Sequence, residues 1–558
     1  MANYEFYLTS SLEKVFTNKR AKVLTNDTFS MLKNDKLNLQ LVYFLSDADR
    51  KARNRYFKVI IESKLNYEVK DVNLVKCEYL ATENRDRFYL DTTPGLYPDL
   101  LTDNKGLIKP LPDQFKSLWI SFISDNNSFR DIISIKLVEV LLEDNTGNVI
   151  ETNNIVFEKE ININVIDTQL IDLPIKHTEW FHTDSIANYH QVDIFSEKHW
   201  QLIEKYIEFA AKKSDVNMLL TPIFTPSLDT DMNKERKTVQ LVDVEYVNKK
   251  YTFNFEKLNR WCGICKKYGI KYLEIAHFFT QWGAKYTPKI VVTTTDENNN
   301  KKREKRFGWH VKATDKEYRV FLKAFIPELI KELVNMGYNK DNLYFHISDE
   351  PNLDCIKDYE KAKNQVKDIL GECNLIDALS DFSFYEKGLV ETPIPSNDHI
   401  EPFVNNVDEL WTYYCIAQGK LVPNRFIGLP SYRNRAMGIL MYLYDIKGFL
   451  HWGFNYYESE NSRKTINPFI TTDGECAFPA GDPFLVYPGP ITSIRNEVQM
   501  EAFNDLKLLR ILEEKTSRDE VINIIKGSEE YNFTFKDYPR NNEYYLNLKE
   551  KVISIINM

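Results

Sequence analysis

The sequence predicts an α/β protein in which a TIM-type (β/α)8 barrel follows an all-β sandwich. Two sequence patterns support this prediction. Short apolar runs continue up to about residue 166, and beyond it strand-like runs alternate with helices of ten or more residues. The length of 558 residues also exceeds that of one ordinary core. We place the sandwich at residues 1–168, the barrel at 169–515 and an extension that packs on the barrel at 516–558.

The N-terminal part is typical of short strands joined by polar turns. Its clearest apolar runs lie at 39–44, 57–61, 118–123 and 135–142, and the last leads into a turn signal at 144–148. This part contains no motif typical of a catalytic or binding site, so we expect the functional site in the barrel.

Eight candidate strands and the helices between them predict the barrel. The strands lie near residues 178–182, 217–221, 272–277, 342–348, 375–380, 399–403, 409–415 and 448–455. The clear helices span residues 197–212, 255–268, 316–336, 354–370, 433–444 and 495–515. A hairpin at 289–310 follows the third strand and returns Trp309 to the mouth of the barrel.

The net charge of −9, from 72 basic and 81 acidic residues, argues against nucleic acid as a partner. The one basic cluster, at 301–306, is interpreted as a solvated turn and strand edge. No apolar run approaches the roughly 20 residues of a membrane span. The N-terminus also lacks the basic and apolar segments of a secretory leader. We therefore expect no membrane span and a cytoplasmic location.

The seven scattered cysteines do not form a disulfide framework. Cys262 and Cys265 form a CxxC that stands alone in a helical pattern, and no HxH or HExxH spacing is present. We expect neither a metal nor another cofactor. A metal-dependent hydrolase on the same barrel stays open as an alternative, with His182 and His277 as possible ligands.

The run from Leu343 to Pro351 is the central feature of the chain, because an alternating apolar stretch ends there in Asp349, Glu350 and a proline. Pro351 cannot donate to a strand ladder, so the two carboxylates should lie at the C-terminal end of a strand. In an α/β barrel that end carries the catalytic groups. The pair also suits a helix N-terminus, where acids interact favourably with the dipole. Within the strand, His346 is interpreted as a packed, hydrogen-bonded histidine.

Other polar and aromatic residues decide between these interpretations. They follow predicted strands or the hairpin and converge on one face of the barrel, which favours catalysis by Asp349 and Glu350. We expect this face to bind substrate through His182, His277, Gln281, Trp282, Trp309, Tyr413, Tyr414, Trp452 and Asn455. Two adjacent carboxylates should not both ionise freely, so the pKa of one of them should rise.

Seven motifs, in their order and spacing, resemble glycoside hydrolase family 123, the β-N-acetylgalactosaminidases, and the wider set of uncharacterised proteins that share its catalytic barrel domain. The motifs are HFFTQWGA (277–284), FGW (307–309), SDEP (348–351), WTYY (411–414), NRF (424–426), GFLHWG (448–453) and GDPFLVYPG (481–489). The resemblance runs from about residue 94 to about residue 514. It implies a β-sandwich followed by a (β/α)8 barrel.

The resemblance also implies an activity. A retaining exo-hydrolase would release terminal β-linked N-acetylgalactosamine through an oxazolinium intermediate that the substrate's own acetamido group forms. Glu350 matches the family's proton donor and acceptor, and Asp349 matches the residue that accepts the acetamido N–H. The resemblance thus implies that Glu350 keeps its proton and Asp349 its charge. The partner is an oligosaccharide or glycoconjugate with a terminal N-acetylhexosamine. From their predicted strand-end placement, Trp282, Tyr413 and Trp452 are candidates for the pocket of the acetamido methyl group.

Two other functions stay open. One is a β-N-acetylglucosaminidase or another β-hexosaminidase, because a single hydrogen bond separates an axial from an equatorial 4-hydroxyl. The other is a non-catalytic glycan-binding protein, against which the intact Asp349–Glu350 pair argues.

Overall fold

The computed structural model describes residues 4–46, 55–142, 148–232, 234–295 and 300–558. A β-sandwich comes first, an eight-stranded parallel barrel follows, and two helices end the chain. The turn predicted at 144–148 lies outside the described residues except for Asn148. Most of the turn in the predicted hairpin, at 296–299, also lies outside them.

Two five-stranded sheets form the sandwich. Across the first sheet the strands are β1 (Tyr4–Ser10), β3 (Lys36–Leu45), β8 (Lys116–Ile123), β5 (Asn66–Cys77) and β6 (Gly95–Asp103). Across the second they are β2 (Thr28–Lys33), β10 (Val149–Gln169), β9 (Phe129–Leu142), β4 (Tyr56–Glu62) and β7 (Leu107–Ile108). Residues of both sheets, such as Leu41 and Ile120 from the first and Ile135 and Ile163 from the second, share one core.

The barrel is a single sheet whose ladders are parallel. Its strands run in the order β20 (Thr392–Ile394), β19 (Asn374–Ala378), β18 (Leu343–Phe345), β15 (Tyr272–Ile275), β12 (Met218–Thr221), β11 (Lys176–Glu179), β22 (Gly448–His451) and β21 (Trp411–Tyr413). An isolated parallel bridge between Ser396 and Tyr413 brings the two ends of this order together. The predicted fold class is confirmed.

The sixth predicted strand is wrong. Residues 399–403 contain a short 3-10 turn (Glu401–Phe403), and the sixth barrel strand is β20. β20 contains Pro393 and is followed by Pro395, and prolines argue against a strand in a sequence because they cannot donate to a ladder. Here the strand pairs through its carbonyls, since the Tyr413 amide donates to Pro395 O at 3.1 Å. The other seven predicted strands overlap observed ones.

Helices surround the barrel. They are α1 (Thr183–His190), α2 (Glu197–Lys213), α3 (Glu256–Lys267), α4 (Lys316–Asn335), α5 (Ile356–Leu370), α6 (Ser383–Glu386), α7 (Ser431–Leu443) and α8 (Ile494–Lys515). The six helices that the sequence predicts are confirmed, with ends within two residues of the prediction. Beyond the barrel, α9 (Arg518–Lys526) packs on α8, and α10 (Asn542–Ile556) packs on α7, α8 and strand β2. The last helix therefore contacts both domains.

A four-stranded sheet lies outside the barrel ladder and consists, in order, of β14 (Lys250–Asn254), β13 (Asp243–Val247), β16 (Ile290–Thr295) and β17 (Lys301–Phe307). β16 and β17 form the predicted hairpin. The basic cluster lies on the edge strand β17, where Lys301 pairs with Glu245 at 2.9 Å. Within the described ranges, none of the helices combines the length and apolar character of a membrane span.

Candidate active site

A cavity opens at the carboxyl ends of the barrel strands, with an empty volume of about 670 Å³ counted out to its open mouth. Its walls are mostly apolar and aromatic, with a few polar groups, as in sites for small ligands. Seven of the predicted residues line it: His182, Gln281, Trp282, Asp349, Glu350, Tyr413 and Trp452. Four do not: His277, Trp309, Tyr414 and Asn455.

The carboxylate pair lies between two neighbouring strand ends, which hold its backbone. Glu350 N donates to Ala378 O at 3.0 Å, and Asp349 O accepts from Trp282 N at 2.7 Å. The next α-helix begins only at Ile356. The interpretation of the pair as a helix N-terminus is therefore wrong, and both side chains line the cavity.

Glu350 is fixed by strained backbone and by one strong hydrogen bond. Its φ of 43° lies in the left-handed region, which costs a residue with a side chain about 1 kcal/mol or more and clusters at functional sites. Tyr413 Oη donates to Glu350 Oε1 at 2.7 Å. Burial raises the pKa of Glu350, and the hydrogen bond from Tyr413 offsets part of that rise. The group can therefore hold a proton closer to neutral pH than an exposed glutamate.

The pKa of Asp349 is raised as well. Burial is the main cause, and the charge of Glu350 adds to it. Within the described part of the chain, no donor forms a hydrogen bond to the Asp349 carboxylate, whereas Glu350 has Tyr413. Burial thus disfavours the charge of both carboxylates in the empty site, and the two titrate as a pair. The expected division, with the proton on Glu350 and the charge on Asp349, stays a prediction.

The proton on this pair should be visible in the stability of the protein. Because folding raises the pKa of Asp349, stability is lost as the pH rises above the unfolded-state value and through the folded-state value. Asp349→Asn removes that loss, so its free energy of unfolding should exceed that of the wild type by about 1–2 kcal/mol at pH 8. At pH 4 the difference should be much smaller. Urea unfolding at both pH values measures it, and a variant less stable than wild type at pH 8 contradicts a proton-holding pair.

Beneath the pair lies a buried triad of Glu274, His346 and Asp377. His346 Nε2 is 2.6 Å from Glu274 Oε1, and Nδ1 is 3.2 Å from Asp377 Oδ1. Burial lowers the pKa of His346, but the hydrogen bonds and charges of Asp377 and Glu274 outweigh it and raise the pKa to about 9. Asp377 also accepts the backbone N–H of Ile347 and of Ser348, at 3.1 and 3.3 Å. The triad therefore anchors the strand end that carries Asp349.

His277 belongs to this buried layer and not to the cavity wall. Its ring stacks on His346 with centroids 4.2 Å apart. Burial, and then the positive charge of His346, hold the pKa of His277 well below its usual range. Neither ring nitrogen finds a hydrogen-bond partner among the described residues. The structure thus does not bring His277 to a substrate, because the ring of Trp180 lies against it and lines the cavity instead.

His182 lines the cavity but has no free nitrogen to offer. Its Nε2 donates to Trp452 O at 2.7 Å, and its Nδ1 accepts from Arg236 at 2.9 Å. Burial, and then the charge of Arg236, lower the pKa of His182 to about 3, so the ring is neutral. Asn455 exchanges two hydrogen bonds with the backbone of His182. Asn455 therefore does not line the cavity as predicted; it holds the backbone of His182, which does.

Two of the predicted tryptophans, Trp452 and Trp282, line the cavity on different sides. Trp452 follows β22, which lies four places from β18 in the eight-strand order, so its ring faces the carboxylates across the mouth. Its Nε1 donates to Asp482 at 2.9 Å, which fixes the ring. Trp282 is 49% exposed and belongs to the rim. Its loop is tight at Gly283, where φ is 120° and a Cβ would lie 2.5 Å from Cys355 Sγ.

Trp309 and Tyr414 lie away from the cavity. Trp309 follows the hairpin strand β17, and its Nε1 donates to Thr230 Oγ1 at 3.3 Å. Tyr414 is fully buried and packs against His451 on the helix-facing side of the sheet. Successive residues of a strand point to opposite faces, so Tyr413 and Tyr414 cannot both face the barrel interior.

Asp229 is a polar residue of the cavity that the sequence argument missed. Its carboxylate accepts from Tyr456, and its backbone N–H donates to Gln281 Oε1 at 2.6 Å. That contact leaves Gln281 Nε2 without a partner inside the described ranges. Asp229 lies eight residues beyond strand β12, so a search extended further past each strand end would have found it. Phe478 also lines the cavity, but it lies in a loop far along the chain, and no sequence pattern marks it as a site residue.

A parallel barrel with one buried and one half-buried carboxylate at its carboxyl end, facing aromatic side chains, has the arrangement of a glycoside hydrolase. The family model for the glycoside hydrolase 123 catalytic domain matches residues 180–512. The chain belongs to glycoside hydrolase family 123.

One solved structure agrees with this fold over the full chain. A family 123 glycoside hydrolase from Clostridium perfringens, described for its hydrolysis of glycolipid glycans, matches with a TM-score of 0.68 and 14% identity over 100% of this chain and 97% of that one. A putative β-galactosidase from Bacteroides fragilis matches with a TM-score of only 0.30 and 8% identity, over 86% and 59% of the two chains. No curated protein matches this sequence.

Proposed function

We propose that this family 123 enzyme releases terminal β-linked N-acetylgalactosamine with retention of configuration, by substrate-assisted catalysis. The observation that carries the proposal is the pairing of two adjacent carboxylates with different surroundings in one cavity. Glu350 is held by Tyr413, whereas Asp349 has no donor of its own within the described residues. An acceptor without a donor suits the N–H of an acetamido group.

The first chemical step divides the work between the two residues. Asp349 accepts the acetamido N–H, which favours its ionised form and moves the shared proton to Glu350. The acetamido carbonyl oxygen then attacks C1, while Glu350 gives its proton to the departing glycosidic oxygen. Asp349 stabilises the positive charge of the oxazolinium ring that results.

In the second step Glu350 acts as a base. It takes a proton from a water molecule that attacks C1 from the side the leaving group has vacated, and the ring opens to the β-configured sugar. The apolar wall of Trp180, Leu450 and Trp452 excludes bulk water from this step and gives the acetamido methyl group an apolar contact.

The shape of the cavity supports cleavage at a chain end. Its lower wall is closed by Trp180 and by the buried triad beneath it, so a sugar enters through the mouth and cannot thread through. The substrate class we propose is a glycoconjugate or oligosaccharide that ends in a β-linked N-acetylhexosamine. The C. perfringens enzyme is described for its hydrolysis of glycolipid glycans, which are glycoconjugates.

Paired chromogenic substrates test the proposal. We expect turnover of the aryl β-N-acetylgalactosaminide, slower turnover of the matching glucosaminide, and none of the β-galactoside, which lacks the acetamido nucleophile. A thiazoline analogue of the oxazoline should inhibit competitively, because it reproduces the cyclised intermediate. Equal rates on β-galactoside and β-N-acetylgalactosaminide would remove the basis for substrate assistance, and faster turnover of the glucosaminide would identify a β-N-acetylglucosaminidase.

A further inference from the structure

A row of polar side chains lies behind the part of the cavity wall that Trp452 forms. Arg425 donates to both carboxylate oxygens of Glu179, at 2.6 and 2.9 Å, and to His451 Nδ1 at 2.7 Å. On the other side of the imidazole ring, His451 Nε2 lies 3.4 Å from Asp482 Oδ1. Asp482 Oδ2 accepts from Trp452 Nε1 at 2.9 Å. The residues of the row other than Trp452 are buried outside the cavity, so the row meets the wall from behind.

The position of the proton on His451 follows from these contacts. Two donors face Nδ1, one from Arg425 and one from the backbone N–H of Gly453 at 2.9 Å, so Nδ1 carries no proton. Burial, and then the charge of Arg425, lower the pKa of His451, so the ring is neutral and its single proton lies on Nε2. That N–H faces Asp482 Oδ1, which has no closer partner among the described residues. Each carboxylate oxygen of Asp482 therefore meets one N–H group.

Asp482 brings a negative charge close to the proton donor of the cavity. Within the described ranges, no lysine or arginine forms an ion pair with this carboxylate. A buried charge acts over a longer range than an exposed one, because its surroundings screen it less. Burial is the main cause that raises the pKa of Glu350, the hydrogen bond from Tyr413 offsets part of the rise, and the charge of Asp482 adds to it. Asp482 therefore favours the protonated form of Glu350 from behind Trp452.

Five other titratable groups line the cavity: Asp349, Asp229, His182, Tyr413 and Cys415. Burial keeps the pKa of Tyr413 and of Cys415 well above the usual range. Burial, and then the charge of Arg236, lower the pKa of His182 to about 3. These three groups are therefore neutral near pH 7, which leaves the carboxylates as the groups that can titrate there.

Asp229 and the triad beneath the pair have other neighbours. Burial raises the pKa of Asp229, and the hydrogen bond from Tyr456 offsets part of that rise. Burial and the charge of Glu350 raise the pKa of Asp349, and the positive charge of His346 offsets part of that rise. A pH limit of activity that moves with Asp482 therefore belongs to the carboxylate pair.

We propose that Asp482 is a positioning residue for the reaction, which holds the Trp452 ring opposite the carboxylate pair and places a negative charge behind it. This inference rests on the proposed function, because it takes Glu350 as the proton donor. The hydrogen bond fixes the wall against which the sugar packs. The charge extends to higher pH the range in which Glu350 keeps the proton that the leaving group needs.

The pH dependence of kcat/KM tests the charge. The substrate is phenyl β-N-acetylgalactosaminide, whose weakly acidic phenol needs a proton in order to leave. Asp482→Asn removes the charge, and its amide oxygen can still accept from Trp452 Nε1. The basic limb of the profile, where the pair loses its proton, should move to lower pH by about half a pH unit or more. Asp368→Asn removes an exposed charge on α5 and should leave the limb in place.

Two further variants separate the hydrogen bond from the charge. Trp452→Phe removes the N–H donor and keeps the charge of Asp482, so its basic limb should stay at the wild-type pH whatever its KM becomes. Asp482→Leu removes both the acceptor and the charge. Its basic limb should move as in Asp482→Asn, and its KM should rise at least several-fold above that of Asp482→Asn, because the Trp452 ring is no longer held.

The outcomes distinguish this inference from the proposed function. A wild type that does not cleave the glycoside at any pH overturns the proposed function, and this inference with it. If wild type is active but Asp482→Asn keeps its basic limb, or Trp452→Phe moves the limb as far, the role of the charge is wrong and the function stands. Equal KM values for Asp482→Asn and Asp482→Leu contradict the role of the hydrogen bond. If Asp482→Leu fails to fold, Asp482→Asn and Trp452→Phe still decide, because each changes one contact of the row.

Discussion

Glu350→Gln should lower kcat/KM for a disaccharide by about 100-fold or more, because the glycosidic oxygen then leaves without a proton. The loss should be much smaller for an aryl glycoside with an acidic phenol, which departs without protonation. Steady-state kinetics on both substrates measure this contrast. The amide keeps the size of the side chain and can still accept from Tyr413 Oη, which lies 2.7 Å from Oε1 in the wild type.

Asp349→Asn should lower the rate on both substrates by a similar factor of about 100 or more, because orientation of the acetamido group matters whatever the leaving group. Azide should restore turnover of the aryl glycoside by Glu350→Gln and give a β-configured glycosyl azide. An α-configured azide from an Asp349 variant would identify Asp349 as an enzymatic nucleophile and contradict the roles proposed here. Undiminished hydrolysis by both variants would overturn the assignment of the pair.

His346→Gln should have the largest effect on stability. It removes the cation between Glu274 and Asp377, which leaves two buried carboxylates facing each other and costs about 3 kcal/mol or more. Because folding raises the pKa of His346 to about 9, its contribution is fully present below pH 6.5 and fades as the pH rises through 9. The difference from wild type should therefore be largest near pH 6 and shrink towards pH 10.

His277→Phe is the matched control for this variant. It changes the histidine that stacks on His346, and it keeps an aromatic ring there and removes no ion pair. Because folding lowers the pKa of His277, the wild type loses stability as the pH falls below about 6.5, and this variant does not. Its free energy of unfolding should therefore differ little from that of the wild type above pH 8 and gain relative to it towards pH 6, which is the opposite trend to that of His346→Gln. A His346→Gln protein as stable as wild type at pH 6 would show that the triad does not anchor the strand end.

Much of the fold follows from local patterns. Six helices and seven of the eight barrel strands are visible as periodic apolar runs, and the end of a predicted strand places Asp349 and Glu350 at the cavity. The sixth strand was missed because Pro393 and Pro395 replace the usual donors of a ladder. Which face each residue takes is a matter of register, which is why Tyr413 was placed correctly and Tyr414 was not.

The hydrogen-bond partners of His346 and of the carboxylate pair could not be predicted from the sequence. His346 was interpreted as a packed, hydrogen-bonded histidine, and the structure confirms that, but Glu274 and Asp377 lie on two other strands. The sequence likewise does not show which of the two adjacent carboxylates finds a hydrogen-bond donor. Only the three-dimensional structure shows that Glu350 accepts a hydrogen bond from Tyr413, whereas within the described residues Asp349 accepts none with its carboxylate.

The central claim is that the substrate's acetamido group, oriented by Asp349, is the nucleophile. The most direct measurement is kcat/KM for aryl glycosides in which the N-acetyl group carries zero, one, two or three fluorine atoms. Fluorine weakens the carbonyl oxygen as a nucleophile, so kcat/KM should fall steeply along the series, by about 100-fold or more overall. Rates that are level across the series would contradict participation by the acetamido group.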